Sequence, residues 1–188
     1  MNQLILVKHS QPDIVPNVSA KEWHLSPTGQ ARCNPLAEKL TAFSPDVFFS
    51  STEPKAIETA QLAAEQMNVS SSIVQGLHEH DRTGVGYLAR EQFESSVKNF
   101  FGTPDRLVFG NETANQAFER FSQAVKTIEL ENPDKHIVIV AHGTVISLFV
   151  SRYNAIAPFL LWERLGLPSF VVLSQGQYEL IKTVESIV

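Results

Sequence analysis

Two histidines in this chain directly follow short apolar runs. His9 ends the run at residues 4–7 and its Lys8 neighbour, and His142 follows the run at 137–140 with Ala141 between. A histidine that accepts a phosphoryl group needs a neutral ring nitrogen facing the phosphorus. It also needs cations and donors around the phosphate oxygens, and an acid that protonates the leaving alcohol. The chain has each part. His9 is placed as the nucleophile and His142 as a donor to the phosphate and the transition state. Lys8 and Lys55 supply positive charge. Glu79, in Leu77-His78-Glu79-His80-Asp81, offers the acid, with Asp81 its nearest rival. Ser10 and Gln11 read either as loop caps or as phosphate donors. His78 and His80 form a His-x-His pair, but no spacing fixes a third ligand, so no metal site is expected.

These residues need elements to position them. Residues 4–7 read as a buried strand entering a loop. Residues 26–43 read as a helix capped by Ser26, with Pro27 at its first position and Pro45 beyond its end. Residues 47–49 form a second short strand, ending in Ser50-Ser51-Thr52, and Pro54 opens a helix to about residue 67. Ile73-Val74 is a third strand candidate. Phe118, Phe121, Val125 and Ile128 are spaced as one helical face, closed by Asn132-Pro133. Residues 137–140 are the clearest strand, followed by a helix at about 144–153. Residues 170–173 and 178–184 read as a hairpin.

Apolar strands alternating with helices predict a three-layer α/β/α sandwich, its sheet mostly parallel with an antiparallel edge strand. Ligands in such folds sit beyond the carboxyl ends of the strands. The Lys8-His9-Ser10, Ser50-Ser51-Thr52 and His142-Gly143 clusters should meet there. The Phe100-Phe101 and Phe118–Phe121 segments read as core or lid packing, Trp23 as mouth lining or packing, and His24 and His136 as structural.

The chain has 188 residues, 43% hydrophobic and 19% charged, with a net charge of −5. That suits one domain over residues 1–188 with its own core. Basic residues are scattered, so neither nucleic acid nor a membrane is an expected partner. The single cysteine, Cys33, reads as a small core residue. The apolar run at the start is short and lacks a basic flank, so a cytoplasmic location is expected. Oligomeric state is not legible in these residues.

The motifs together resemble the histidine phosphatase superfamily, in its phosphoglycerate-mutase-like group. Val7-Lys8-His9-Ser10-Gln11 is similar to the family's Arg-His-Gly opening. Leu25-Ser26-Pro27-Thr28-Gly29 resembles its first helix start, and the stretch from Ser50 to Ala60 its second arginine motif. Leu77-His78-Glu79 resembles the segment bearing the acid. Asn111-Glu112-Thr113 with Arg120 is similar to its Gly-Glu-Ser helix, and Val140-Ala141-His142-Gly143-Thr144 to its second histidine motif. The chain departs by placing Lys8 and Lys55 where arginines are usual, and Ser10 where glycine is usual. Lysine keeps the charge but not the planar fork. The resemblance implies hydrolysis of a small phosphorylated metabolite through phosphohistidine, with no cofactor. A mutase and a non-catalytic phosphate-ligand binder are the alternatives. Specificity is expected in the variable segment at about 82–112.

Overall fold

The run leading to His9 forms β1 (Gln3–Lys8), and the run leading to His142 forms β4 (Ile137–Ala141). In the computed structural model, which describes residues 2–187, the two lie side by side at the centre of a six-stranded sheet. The others are β2 (Val47–Ser50), β3 (Ser71–Ile73), β5 (Ser169–Ser174) and β6 (Leu180–Val184), in the order β3-β2-β4-β1-β5-β6. The first four in that order run parallel, and β5 runs antiparallel to β1. The expected reversed strand is therefore β5, one place in from the edge, and β6 pairs back onto it as the outermost strand. Tyr178 belongs to the turn rather than to β6. Its φ is 57°, its ring is buried, and its hydroxyl donates to Glu129 Oε2 at 2.5 Å.

Alternation along β1 assigns the two layers. Leu4 and Leu6 face one side with Ile137 and Ile139. That face is covered by α5 (Ala114–Glu131), α6 (Gly143–Tyr153) and α7 (Pro158–Arg164). Phe121, Phe149 and Leu161 supply their buried contacts, and Phe100 of α4 (Arg90–Gly102) joins them. Ile5 and Val7 face the other side with Val138 and Val140. There Leu36 and Leu40 of α2 (Cys33–Thr41) pack beside an alanine stripe, Ala56, Ala60, Ala63 and Ala64, on α3 (Pro54–Gln66). Each fully buried Leu, Ile or Phe contributes roughly 1.5–3 kcal/mol.

The single helix expected over 26–43 is two. A short α1 (Pro27–Ala31), capped by Ser26, breaks at Arg32 before α2. Pro35 explains the break, because it has no N–H to give to the Ala31 carbonyl. Cys33 is buried in α2, and α5 begins with a capping box between Thr113 and Gln116. Helices α4 and α7 were not expected; α4 lies inside the 82–112 segment. Among the described residues, no helix is long and apolar enough to cross a membrane.

Candidate active site

The β1–β4 register brings the two histidines together. Lys8 pairs with Ala141, so the next residues along the two strands are His9 and His142. The His9 N–H continues the ladder to the Ala141 carbonyl at 3.0 Å, and His142 becomes the N-cap of α6. The rings lie 5.1 Å apart between centroids, inclined by 61°. They are 7% and 1% exposed.

His9 Nδ1 lies 2.7 Å from the Ser10 carbonyl oxygen. A carbonyl only accepts, so Nδ1 carries the proton and Nε2 keeps its lone pair. Burial, then the neighbouring His142 and Lys55, push the His9 ring well below its ordinary 6.5, although the Ser10 carbonyl pulls the other way. The ring is therefore neutral at pH 7.

The loop carrying His9 is fixed from below. Ser10 is fully buried, its hydroxyl donating to the Gly29 carbonyl at 2.7 Å and its N–H to Thr59 Oγ1 at 2.9 Å. With its one proton committed there, Ser10 shapes the loop and has no hydroxyl proton to offer phosphate. A Cβ on Gly29 would sit 2.0 Å from the Gln11 carbonyl oxygen, so only glycine lets α1 approach this loop. Gln11 accepts from Arg32 through Oε1 at 3.1 Å.

The Nε2 edge of His142 faces the head of α3. Ser51 Oγ is 2.6 Å from it and Glu53 Oε1 is 3.4 Å from it. Burial, then Lys55, hold this ring well below 6.5 too. Lys55, 5% exposed, donates to Glu53 Oε2 at 2.5 Å and to the Ala20 carbonyl at 2.6 Å. Glu53, 4% exposed, also accepts the Glu79 N–H at 2.8 Å. Lys8 donates to the Leu165 carbonyl at 2.5 Å, and burial lowers its ammonium to about 8 despite the nearby Glu79.

Glu79 reaches the same rim from the loop after β3. Its carboxylate accepts from the His80 N–H at 2.9 Å and from the Thr144 N–H of α6 at 3.2 Å. Burial pushes this carboxyl up, but His142, Arg82 and the His80 N–H outweigh it and hold it below the usual carboxylate range. The loop is clamped by Arg120 of α5, which donates to the Gly76 carbonyl at 2.7 Å and the His78 carbonyl at 2.9 Å, while pairing with Glu112. Asp81 points elsewhere, accepting from Thr83 N and Oγ1 at 2.9 and 2.6 Å. It is a turn residue, whereas Glu79 and Glu53 both turn toward the rim. His80 is buried with its ring 4.0 Å from Phe100 and 4.9 Å from Phe109. Among the described residues no three His, Cys, Asp or Glu side chains are grouped to hold a metal ion.

A model of the histidine phosphatase superfamily (branch 1) matches residues 4–179. The chain belongs to the histidine phosphatase superfamily. It is 24% identical over 170 residues to an uncharacterized phosphatase, PhoE, of Bacillus subtilis (strain 168), covering 88% of this chain and 84% of that one. Its fold is similar to a phosphoserine phosphatase of Entamoeba histolytica solved with phosphoserine, with a TM-score of 0.78, 19% identity, and 98% and 97% of the two chains covered. It is also similar to a mycobacterial glucosyl-3-phosphoglycerate phosphatase, with a TM-score of 0.80, 18% identity and both chains covered in full.

Within this histidine phosphatase, sequence reasoning missed three residues at the rim. Glu53 precedes Pro54 at the start of α3, and its carboxylate, making no cap hydrogen bond, turns inward to Lys55 and the Glu79 N–H. Arg120 stood out only as part of a helix motif, and its grip on the loop bearing Glu79 depends on a fold contact. Arg82, in the variable segment, lies over the Phe93 ring at 4.7 Å, and its charge reaches Glu79 and His142. Trp23 donates to the Val15 and Val18 carbonyls, both at 3.1 Å, which makes it a staple of its loop. A cleft of about 620 Å³ beside the α3 head is lined by Lys21, His24, Thr52 and Thr83, among others; neither His9 nor His142 lines it.

Proposed function

We propose that this protein hydrolyses small phosphomonoesters through a phosphohistidine at His9. The observation that carries the reading is the His9 tautomer: Nδ1–H is held by the Ser10 carbonyl, so a neutral ring offers the Nε2 lone pair beside His142. In the first step Nε2 forms a bond to phosphorus and the ester P–O bond breaks. The leaving oxygen takes the electron pair and a proton from Glu79. In the second step water attacks the phosphorus, gives a proton to Glu79, and the P–N bond electrons return to Nε2. Lys55, Lys8 and Arg82 offset charge on the phosphoryl oxygens, and the neutral His142 donates a hydrogen bond to them. Glu79 is ionised in the empty site, and an arriving phosphate dianion favours its protonated form, which the first step needs.

Solved relatives act on phosphoserine and glucosyl-3-phosphoglycerate. Phosphate esters of small carboxylic acids are accordingly the first substrates to screen. The cleft lined by Lys21 and His24 is where the non-reacting part of such a substrate would lie. The test is a phosphatase screen over a phosphorylated-metabolite panel with a His9→Ala control. Release of phosphate by wild type and not by the variant supports the reading, and equal release contradicts it. One observation favours a second reading, a phosphate-ligand binder without turnover: Lys8 and Lys55 already have protein acceptors. Ligand binding without any phosphoenzyme would establish that alternative.

A further inference from the structure

Glu53 is a buried carboxylate that the proposed reaction does not use. It occupies the groups a phosphate dianion would seek. Oε2 takes the Lys55 ammonium at 2.5 Å, Oε1 takes the Glu79 N–H at 2.8 Å, and Oε1 lies 3.4 Å from His142 Nε2. A cation, a backbone N–H and a ring nitrogen converging on one anionic group make an oxyanion-binding set. The side chain is 4% exposed and its backbone is pinned between Ser51 and Pro54 at the start of α3. Its own N–H donates to Ser51 Oγ at 3.3 Å. It has little room to turn aside into water.

We propose that Glu53 is the resting counter-ion of the phosphate site, a positioning residue that holds Lys55 and His142 in the empty enzyme and opposes the binding of a phosphoryl dianion there. This rests on the reading of His9, His142 and Lys55 as the phosphate site. A dianion and a carboxylate cannot share one buried ammonium without repulsion. Removing the carboxylate's charge would free Lys55 for the ligand. The titratable groups facing Glu53 are Lys55 from its own helix, His142 from the head of α6, and Glu79 and His78 from the loop after β3, with His9 behind His142. Glu53 thereby sets affinity, while the chemical step stays with His9 and Glu79.

Sulfate is the useful probe, because it is a tetrahedral dianion that does not titrate near neutrality. Calorimetry of sulfate and inorganic phosphate binding would compare wild type, Glu53→Gln and Glu53→Asp at several pH values. The glutamine keeps the shape and loses the charge, so it should bind sulfate about tenfold tighter. The aspartate keeps the charge and should stay near wild type. A folded Glu53→Gln that binds equally or more weakly overturns the proposal, since a purely structural ion pair predicts weakening. If Glu53→Gln does not fold, Glu53→Ala decides it by the same comparison: tighter sulfate binding supports the proposal, and equal or weaker binding overturns it. The outcomes separate from the underlying reading. Wild type that binds sulfate and forms phosphohistidine, with Glu53→Gln no tighter, refutes only the role of Glu53. If neither wild type nor Glu53→Gln binds either anion, the phosphate site itself is refuted.

Discussion

Lys8 Nζ donates to the carbonyl oxygen of Leu165 at 2.5 Å, tying the cation at the end of β1 to the C-terminal end of α7. The carbonyl end of a helix favours a cation, and two N–H groups of the ammonium remain for a ligand. Burial lowers this group from 10.5 to about 8. Its charge is therefore lost as pH rises through about 8, and kcat/KM should fall on that limb. Lys8→Met should lower kcat/KM at pH 7 by about tenfold and abolish the limb; a limb that persists in the variant would refute the assignment. The stability effect has the opposite sign. Between about 8 and 10.5 the unfolded chain holds a proton that the folded one lacks, so this group's contribution to stability rises with pH. Any stability advantage of Lys8→Met should shrink across that window, as chemical denaturation at stepped pH would show.

Arg120 governs the acid without touching the histidines. It joins Glu112 to the carbonyls of Gly76 and His78, and Glu112 Oε1 in turn accepts the Asp81 N–H at 3.0 Å. Arg120→Met leaves the half-buried Glu112 carboxylate without its cation and should cost on the order of 2 kcal/mol of stability. It should also displace Glu79, lowering kcat more than it raises KM. A stable variant with unchanged kcat would show that the loop holds Glu79 without this clamp.

Gly29 tests the support beneath the nucleophile. An added methyl would collide with the Gln11 carbonyl, which is backbone and cannot rotate away. Gly29→Ala should lose about 1–3 kcal/mol and should lower turnover by shifting the Ser10 carbonyl that holds His9. Thermal unfolding and steady-state kinetics on the same preparation check both. Wild-type stability in the alanine variant would mean that the two loops can separate at no cost.

The parts of the fold legible in the sequence are those with dense local signals. β1 and β4 are unbroken apolar runs, and α5 carries its helical spacing between a capping box and Asn132. Helix α4 escaped notice because it buries only Val97 and Phe100, and α7 because it buries only Leu161. The split at Arg32 was visible in Pro35 but outweighed by the start signals at Ser26 and Pro27 and the stop at Pro45. At the rim, His9 and His142 stood out because each follows a strand, and the register that makes them neighbours is a consequence of parallel pairing. Ser10 illustrates the opposite case. A hydroxyl beside a nucleophile reads as a ligand donor, and only the packed fold shows Gly29 taking its proton. Glu53 has only Lys55 as a local partner; His142 at the head of α6 and the Glu79 N–H in the loop after β3 reach it through the fold.

The central claim is that His9 Nε2 carries the phosphoryl group between ester and water. The most direct test is to quench turnover of a hydrolysed substrate into alkali and look for a phosphoenzyme, by phosphorus NMR or labelled phosphate. The account predicts an alkali-stable, acid-labile phosphohistidine that maps to His9 and disappears in a folded His9→Ala, with hydrolysis falling by about 10³-fold or more. Steady hydrolysis by His9→Ala, or a phosphoryl group mapping to another residue, would contradict it.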